Sequence, residues 1–161
     1  MIRECEIKDV EAIKAIYNEA IKNTTVVFDI EPKSDEVMQN WFNAHKGYHK
    51  IFVYDHEGTA VGFASLSKYR EHQAFASTVE LSIYTEKDSR GLGIGTALMQ
   101  HVLEYGKNCS EIHTIVSVIT STNVRSVKFH LDHGFKHCGT IEDAGYKFGT
   151  YLGIDNLQII F

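Results

Sequence analysis

The run Arg90-Gly91-Leu92-Gly93-Ile94-Gly95-Thr96 follows an alternating stretch and opens a segment with helical periodicity, Leu98, Met99, Val102 and Leu103. Glycines there let bare backbone N–H groups approach an anion, and the start of a helix adds partial positive charge. Phosphate binding is the chemistry to expect. A Walker loop is excluded because no Gly-Lys-Ser/Thr follows, and a dinucleotide fingerprint would want glycine or alanine at Thr96 inside an N-terminal βαβ unit. A glycine-rich turn without a ligand is the alternative reading. Upstream, Glu80 interrupts Val79, Leu81 and Ile83. Propensity and burial both disfavour an acid in mid-strand, so either that face is wet or the carboxylate is kept for proton transfer.

Other chemistry is poorly supported. His45/His49 and His133/His137 have the four-residue spacing of helical metal ligands, but Gly47 and Gly134 interrupt both segments. Cys5, Cys109 and Cys138 are scattered and form no Cys-x-x-Cys pair. Neither a metal nor a disulfide framework is expected.

The elements that must position these residues follow from periodicity. Asp9 is placed to cap a helix whose apolar stripe is Val10, Ile13, Ile16, Tyr17, Ala20 and Ile21. An unusually apolar loop, Val26, Val27 and Phe28, leads past Pro32 to a second helix capped at Ser34, with Met38, Trp41 and Phe42 as its buried stripe. Strand periodicity takes over at 51–54 and 60–67, joined as a hairpin through 55–58, and again at 77–84. Beyond the glycine loop come a helix over about 93–106, a strand at 112–119, a helix from Asn123 to about His133, and strand segments near 146–149 and 157–161. The order implies an α/β domain built on a mixed sheet.

The 161 residues match one domain and should bury roughly 70% of their unfolded surface. Hydrophobic residues at 43% and charged ones at 23% exclude a disordered or coiled-coil chain. Sixteen Lys and Arg against 21 Asp and Glu give a net charge of −5, the wrong sign for nucleic acid or an anionic membrane. A polyanionic ligand must therefore meet a local basic patch. The beginning of the sequence lacks the pattern of a signal peptide, and a cytoplasmic location is expected.

Arg-x-x-Gly-x-Gly after a strand, with an Asn-led helix about thirty residues later, resembles the pyrophosphate loop of the GNAT superfamily of N-acetyltransferases. The later helix also matches, as Asn123-x-x-Ser126-x-x-x-His130-x-x-x-Gly134-Phe135. Ile16-Tyr17-Asn18-Glu19-Ala20-Ile21, Ala64-Ser65-Leu66, Thr78-Val79-Glu80 and Gly145-Tyr146-Lys147-Phe148-Gly149 look like its phosphinothricin and methionine sulfoximine acetyltransferase branch. The resemblance covers nearly the whole chain. It implies a single GNAT-like domain with a mostly antiparallel central sheet flanked by helices, whose splayed strands form a cleft for acetyl-CoA.

Residue by residue, the resemblance places the pyrophosphate on Arg90, Gly91, Gly93, Gly95 and Thr96, and the pantetheine arm along Ile83, Tyr84 and Thr85. Asn123, Ser126, Lys128 and Arg125 would also serve the cofactor. It makes Glu80 the base that takes the ammonium proton, directly or through water, and His130 a donor to the thiolate or a second base. Direct transfer in a ternary complex needs no covalent intermediate. The acceptor, a small amino-acid-like amine, would meet Phe28, Tyr69, Arg70, Phe75 and Lys147, and relatives complete that pocket as a homodimer, which would also cover the apolar loop. The sequence departs from the branch at His72, Phe75 and Tyr151-Leu152-Gly153, where arginine, tyrosine and a Trp-x-Asp element are usual; the acceptor is therefore open. Two other readings stand beside this one. A catalytically idle acyl-CoA sensor is disfavoured by Glu80 and His130. A protein or peptide N-acetyltransferase would want an open acidic groove, against the enclosed aromatic pocket expected from Phe28 and Phe75.

Overall fold

Most of the expected elements are present in the computed structural model, which describes residues 1–161. Strand β1 (Ile2–Glu4) leads into a 3-10 turn at Ile7–Asp9, then α1 (Val10–Asn23) buries Val10, Ile13, Ile16, Ala20 and Ile21. Asp9 stands at the N-cap of this helix as expected, but its side chain makes no capping bond. Its buried carboxylate accepts from the Glu6 backbone N–H at 2.8 Å and from both ends of the Arg3 guanidinium at 2.7 and 2.9 Å. A charge-assisted fork from the neighbouring strand outcompetes a capping bond. Helix α2 (Asp35–Ala44) is capped as expected, with Ser34 Oγ accepting from Val37 N. Of its stripe, Met38 is buried, whereas Trp41 and Phe42 are half-buried.

The hairpin β2 (Ile51–His56) and β3 (Thr59–Lys68) turns at Glu57-Gly58, both at positive φ. Then follow β4 (Thr78–Thr85), α3 (Ile94–Asn108), β5 (Thr114–Thr120) and α4 (Val124–Asp132). The C-terminal part departs from expectation. Of residues 146–149 only Tyr146 and Lys147 are strand, the end of a long β6 (Lys136–Lys147) that joins β7 (Thr150–Ile160) through a turn at Phe148-Gly149, φ 51° and 76°. Strand β6 is an edge strand exposed along most of its length, so no buried face imposes apolar alternation on it.

All seven strands form one sheet in the order β1-β2-β3-β4-β5-β7-β6. Every neighbouring pair is antiparallel except β4 and β5, which are parallel and bridge only over Thr78↔Thr114, Val79↔Ile115 and Glu80↔Val116. Beyond that point they part, β4 staying with β3 and β5 with β7. Leu98, Met99 and Val102 of α3 pack on one face of the sheet with Val79, Leu81, Ile115, Ile119 and Leu157. Ile13 and Ile16 of α1 and Met38 of α2 cover the other face over Val53 and Phe63. No helix is long and apolar enough to cross a membrane.

Candidate active site

The parting of β4 and β5 opens a cleft of about 500 Å³. Its walls are Ile83, Tyr84 and Thr85 of β4, the loop from Arg90 through Gly91, Gly93, Gly95 and Thr96, the start of α4 at Asn123 and Ser126, and His130. Gly91 and Gly93 sit at φ 83° and 78°, a left-handed backbone that side chains avoid. Gly93 is the N-cap of α3, whose first turn carries no acidic residue. The open N–H groups of that turn and the exposed Arg90 and Arg125 on the walls give the local positive potential that the net charge withholds. Arg90 also lies 3.8 Å from Glu19. Asn123 caps α4, its side chain accepting from Ser126 N at 3.2 Å. Lys128 departs from the expected set: it is exposed, lies outside the cleft wall and holds both oxygens of its i, i+4 partner Asp132 at 2.8 Å.

On β4, Val79 and Leu81 point to the α3 side, so Glu80, Ser82 and Tyr84 face α1 and α2. Glu80 is half-buried, opposite Ser67 on β3 and Val116 on β5, at the last bridge before the gap. Its carboxylate has no hydrogen bond or ion pair within the chain. Burial raises its pKa above the usual carboxylate value, with Arg70 opposing. Such a group is a better base than a solvated glutamate.

His130 belongs to the opposite face. It is 5% exposed on α4, stacked edge-on against Phe135, and its Nδ1 lies 2.8 Å from the Ser126 carbonyl. A carbonyl only accepts, so Nδ1 carries the hydrogen and Nε2 holds the lone pair of the neutral ring. Burial lowers its pKa, which favours that neutral form.

The same direction holds for His45 and His49. A histidine whose folded pKa is depressed gives its stabilisation above the unfolded value near ~6.5 and loses it as pH falls through the lower folded value. Thermal melts should therefore show Tm falling as pH drops below about 6.5, well before the window near or below ~4 in which Asp9 and Asp155, held low by hydrogen bonds, become protonated. A flat Tm between pH 7 and 5 would contradict this.

The expected acceptor residues are not gathered into one chamber. Tyr69, Arg70 and Phe75 form a stack beyond β3, Arg70 lying 5.0 Å over the Tyr69 ring and Phe75 edge-on to it, with Phe75 39% exposed rather than lining an enclosed wall. Phe28 packs where any side chain on Gly145 would go. Lys147 is 3% exposed and donates to the Val27 carbonyl at 2.8 Å, and burial lowers its pKa. Val27 itself is buried, whereas Val26 and Phe28 are half-buried. A second chamber, about 280 Å³, lies between α1, α2 and the sheet, and shares Ser82 and Tyr84 with the cleft. Trp41, Phe63 and Tyr17 wall it, Ser65 and Ser67 floor it, and Asp29 stands at its side, accepting from Tyr17 at 2.7 Å and Lys33 at 2.6 Å. None of these is expected as a site residue from the sequence, in which Tyr17 and Trp41 belong to the buried stripes of their helices. The small residues alternating along Ala64-Ser65-Leu66-Ser67 were the available signal. No group of three His, Cys, Asp or Glu side chains is placed to hold a metal.

Residues 13–135 match the model of the acetyltransferase (GNAT) family. An L-methionine sulfoximine/L-methionine sulfone acetyltransferase from Pseudomonas paraeruginosa is 34% identical over 160 residues, covering 98% of this chain and 92% of the relative. An N-acetyltransferase from Staphylococcus aureus Mu50 superposes with a TM-score of 0.94 at 35% identity, covering 99% of this chain and 97% of the other. A phosphinothricin acetyltransferase from Sinorhizobium meliloti, solved in complex with acetyl-CoA, gives 0.92 at 27% identity, over 100% of this chain and 88% of the other. Splayed strands, glycine loop and family match agree: the chain belongs to the acetyltransferase (GNAT) family and is an acetyl-CoA-dependent N-acetyltransferase.

Proposed function

We propose that the acceptor is a small amino-acid-like amine of the methionine sulfoximine, methionine sulfone or phosphinothricin type, acetylated by direct transfer in a ternary complex in the cytoplasm. The relatives named for those acceptors support the class. The observation that carries the mechanism is the unpaired, half-buried Glu80 at the point where β4 and β5 separate. Glu80 takes the ammonium proton, directly or through water, and the freed amine attacks the acetyl carbon. The cofactor lies on the residue 90–96 loop and along Ile83, Tyr84 and Thr85, and Asn123, Ser126 and Arg125 line its path. His130 sits on the far face of the sheet, where the thiolate departs. As a neutral ring it is a proton acceptor, which suits the second base rather than the donor among the two roles that the resemblance implies. The chamber beside Ser82 receives the acceptor side chain, and Arg70, whose charge acts on the base, is the cation for its carboxylate. A thiol-release screen with acetyl-CoA across amino acids, sulfones, sulfoximines, polyamines and peptides tests this; faster turnover on peptides than on every free amino acid would overturn it.

The working unit is a homodimer. The surface for a second copy is the outer hairpin, where Ile141, Tyr146, Phe148 and Tyr151 are all exposed by more than half. Sedimentation at micromolar concentration should give twice the chain mass, and Tyr151→Glu should halve it. A wild-type monomer that remains active would remove the dimer from the reading.

A further inference from the structure

Ser117 is the first residue of β5 beyond its last bridge to β4, and it lines the cleft. Alternation places it with Ile115 and Ile119 on the α3 side, the face that also holds His130 and lies opposite Glu80. Its side chain is 1% exposed, and its Oγ has no hydrogen-bond partner in the chain. A buried hydroxyl without a partner costs stability, so the strand would be better served by valine or alanine at this position unless a ligand uses the group. The rest of β5 meets that rule: Thr120, also buried, donates to the Thr25 carbonyl at 2.7 Å.

The cleft needs a donor on this face. As the amine forms its C–N bond and the C–S bond breaks, the electron pair passes to sulfur, which becomes a thiolate. The ammonium gives its first proton to Glu80 on the other face before attack; the second leaves the nitrogen as the amide forms and neutralises the thiolate through solvent, so that the amide and free coenzyme A thiol are the products. His130 does not supply a hydrogen to the sulfur, because its Nδ1–H is committed to Ser126 and its Nε2 holds a lone pair. Ser117 carries an O–H with nothing in the chain to accept it. We propose that Ser117 binds the reacting end of acetyl-CoA, its hydroxyl donating to the sulfur as the thiolate leaves, so that base and leaving-group donor act from opposite faces of one sheet through the β4–β5 gap.

This rests on the acetyltransferase reading of the cleft, and the test separates the two. Hydrogen bonds to charged groups contribute about 1.5–3 kcal/mol, so Ser117→Ala should lower kcat roughly 10–100-fold at saturating acetyl-CoA and acceptor. Because the substitution also removes an unpaired buried hydroxyl, Tm of the free protein should hold or rise, the opposite sign from its effect on turnover. The decisive readout is the bound coenzyme A thiol, titrated by ultraviolet absorbance: its pKa should lie below the ~8.5 of a free thiol in wild type and higher in Ser117→Ala. Ser117→Cys, which is slightly larger and offers a weak donor, should fall between them in both kcat and thiol pKa. Unchanged kcat and thiol pKa in folded Ser117→Ala, or a fall in Tm that accounts for the whole loss, overturns the proposal while the cleft reading stands. Failure of the wild type to bind coenzyme A in calorimetry overturns both.

Discussion

Glu80→Gln is expected to reduce turnover by roughly 10²–10⁴-fold, the usual contribution of a positioned acid or base, while acetyl-CoA affinity changes little. Glutamine keeps the shape and can still hydrogen-bond, but it has no basic oxygen. The structure sharpens the expectation in two ways. Nothing in the chain hydrogen-bonds the carboxylate, so the substitution breaks no internal contact, and a Tm near or above wild type should accompany the loss of activity. Burial keeps the folded pKa above the ordinary glutamate value. By linkage, a carboxylate with a raised folded pKa destabilises the fold once pH exceeds its unfolded value near ~4.3, and Glu80→Gln relieves that penalty at neutral pH. His130→Ala should cost less, since a water can stand in for an acceptor in the cleft. Steady-state kinetics of both variants at saturating acetyl-CoA decide the matter. Near-normal turnover in folded Glu80→Gln would transfer the role of base to a bound water or to His130.

The second large effect concerns affinity. Gly95→Val should weaken acetyl-CoA binding at least about 100-fold, by denying the pyrophosphate two charge-assisted hydrogen bonds of about 1.5–3 kcal/mol each. Gly95 lies in the first turn of α3 and on the cleft wall. A Cβ built there meets only the Phe129 ring edge, at 3.9 Å, and the residue has no positive φ, so the fold tolerates the substitution. The added methyl groups stand where backbone must approach phosphate. At Gly93 the same change would confuse strain with function, because its φ of 78° resists any side chain. Calorimetry on the folded variant gives the answer: affinity equal to wild type would remove the phosphate from this loop.

How legible these parts were in the sequence depends on how local they are. The glycine loop, the Ser34 cap, the helix that begins at Asn123 and the strand around Glu80 are written in consecutive residues, and each was found. The second chamber is not local. Ser65 and Ser82 stand directly opposite one another only because of the β3–β4 register, and Trp41 reaches them only because α2 packs on that face. Ser117 carried the same anomaly as Glu80, a polar group at an inward position of an apolar strand, yet a hydroxyl is ordinary enough in sequence to pass unread. Its significance lies in having no partner, which only coordinates reveal. Lys147 shows the reverse limit: a cation near the expected site reads as a ligand for a carboxylate until its burial against the Val27 carbonyl is seen.

The short parallel ladder between β4 and β5 is a weak seam in the hydrogen bonding of the sheet. Residues before it hang on β3, residues after it on β7, and three bridges join the two halves of the sheet. Such a seam is the place where two cooperative folding units open from one another at less than the free energy of global unfolding. A ligand lying in the gap bridges both units and suppresses that opening by mass action, by about 2.7 kcal/mol at a hundredfold excess over its Kd. Backbone amides that face the seam should therefore exchange with deuterium early in the free protein and be slowed together by coenzyme A, as if the sheet had acquired a further strand.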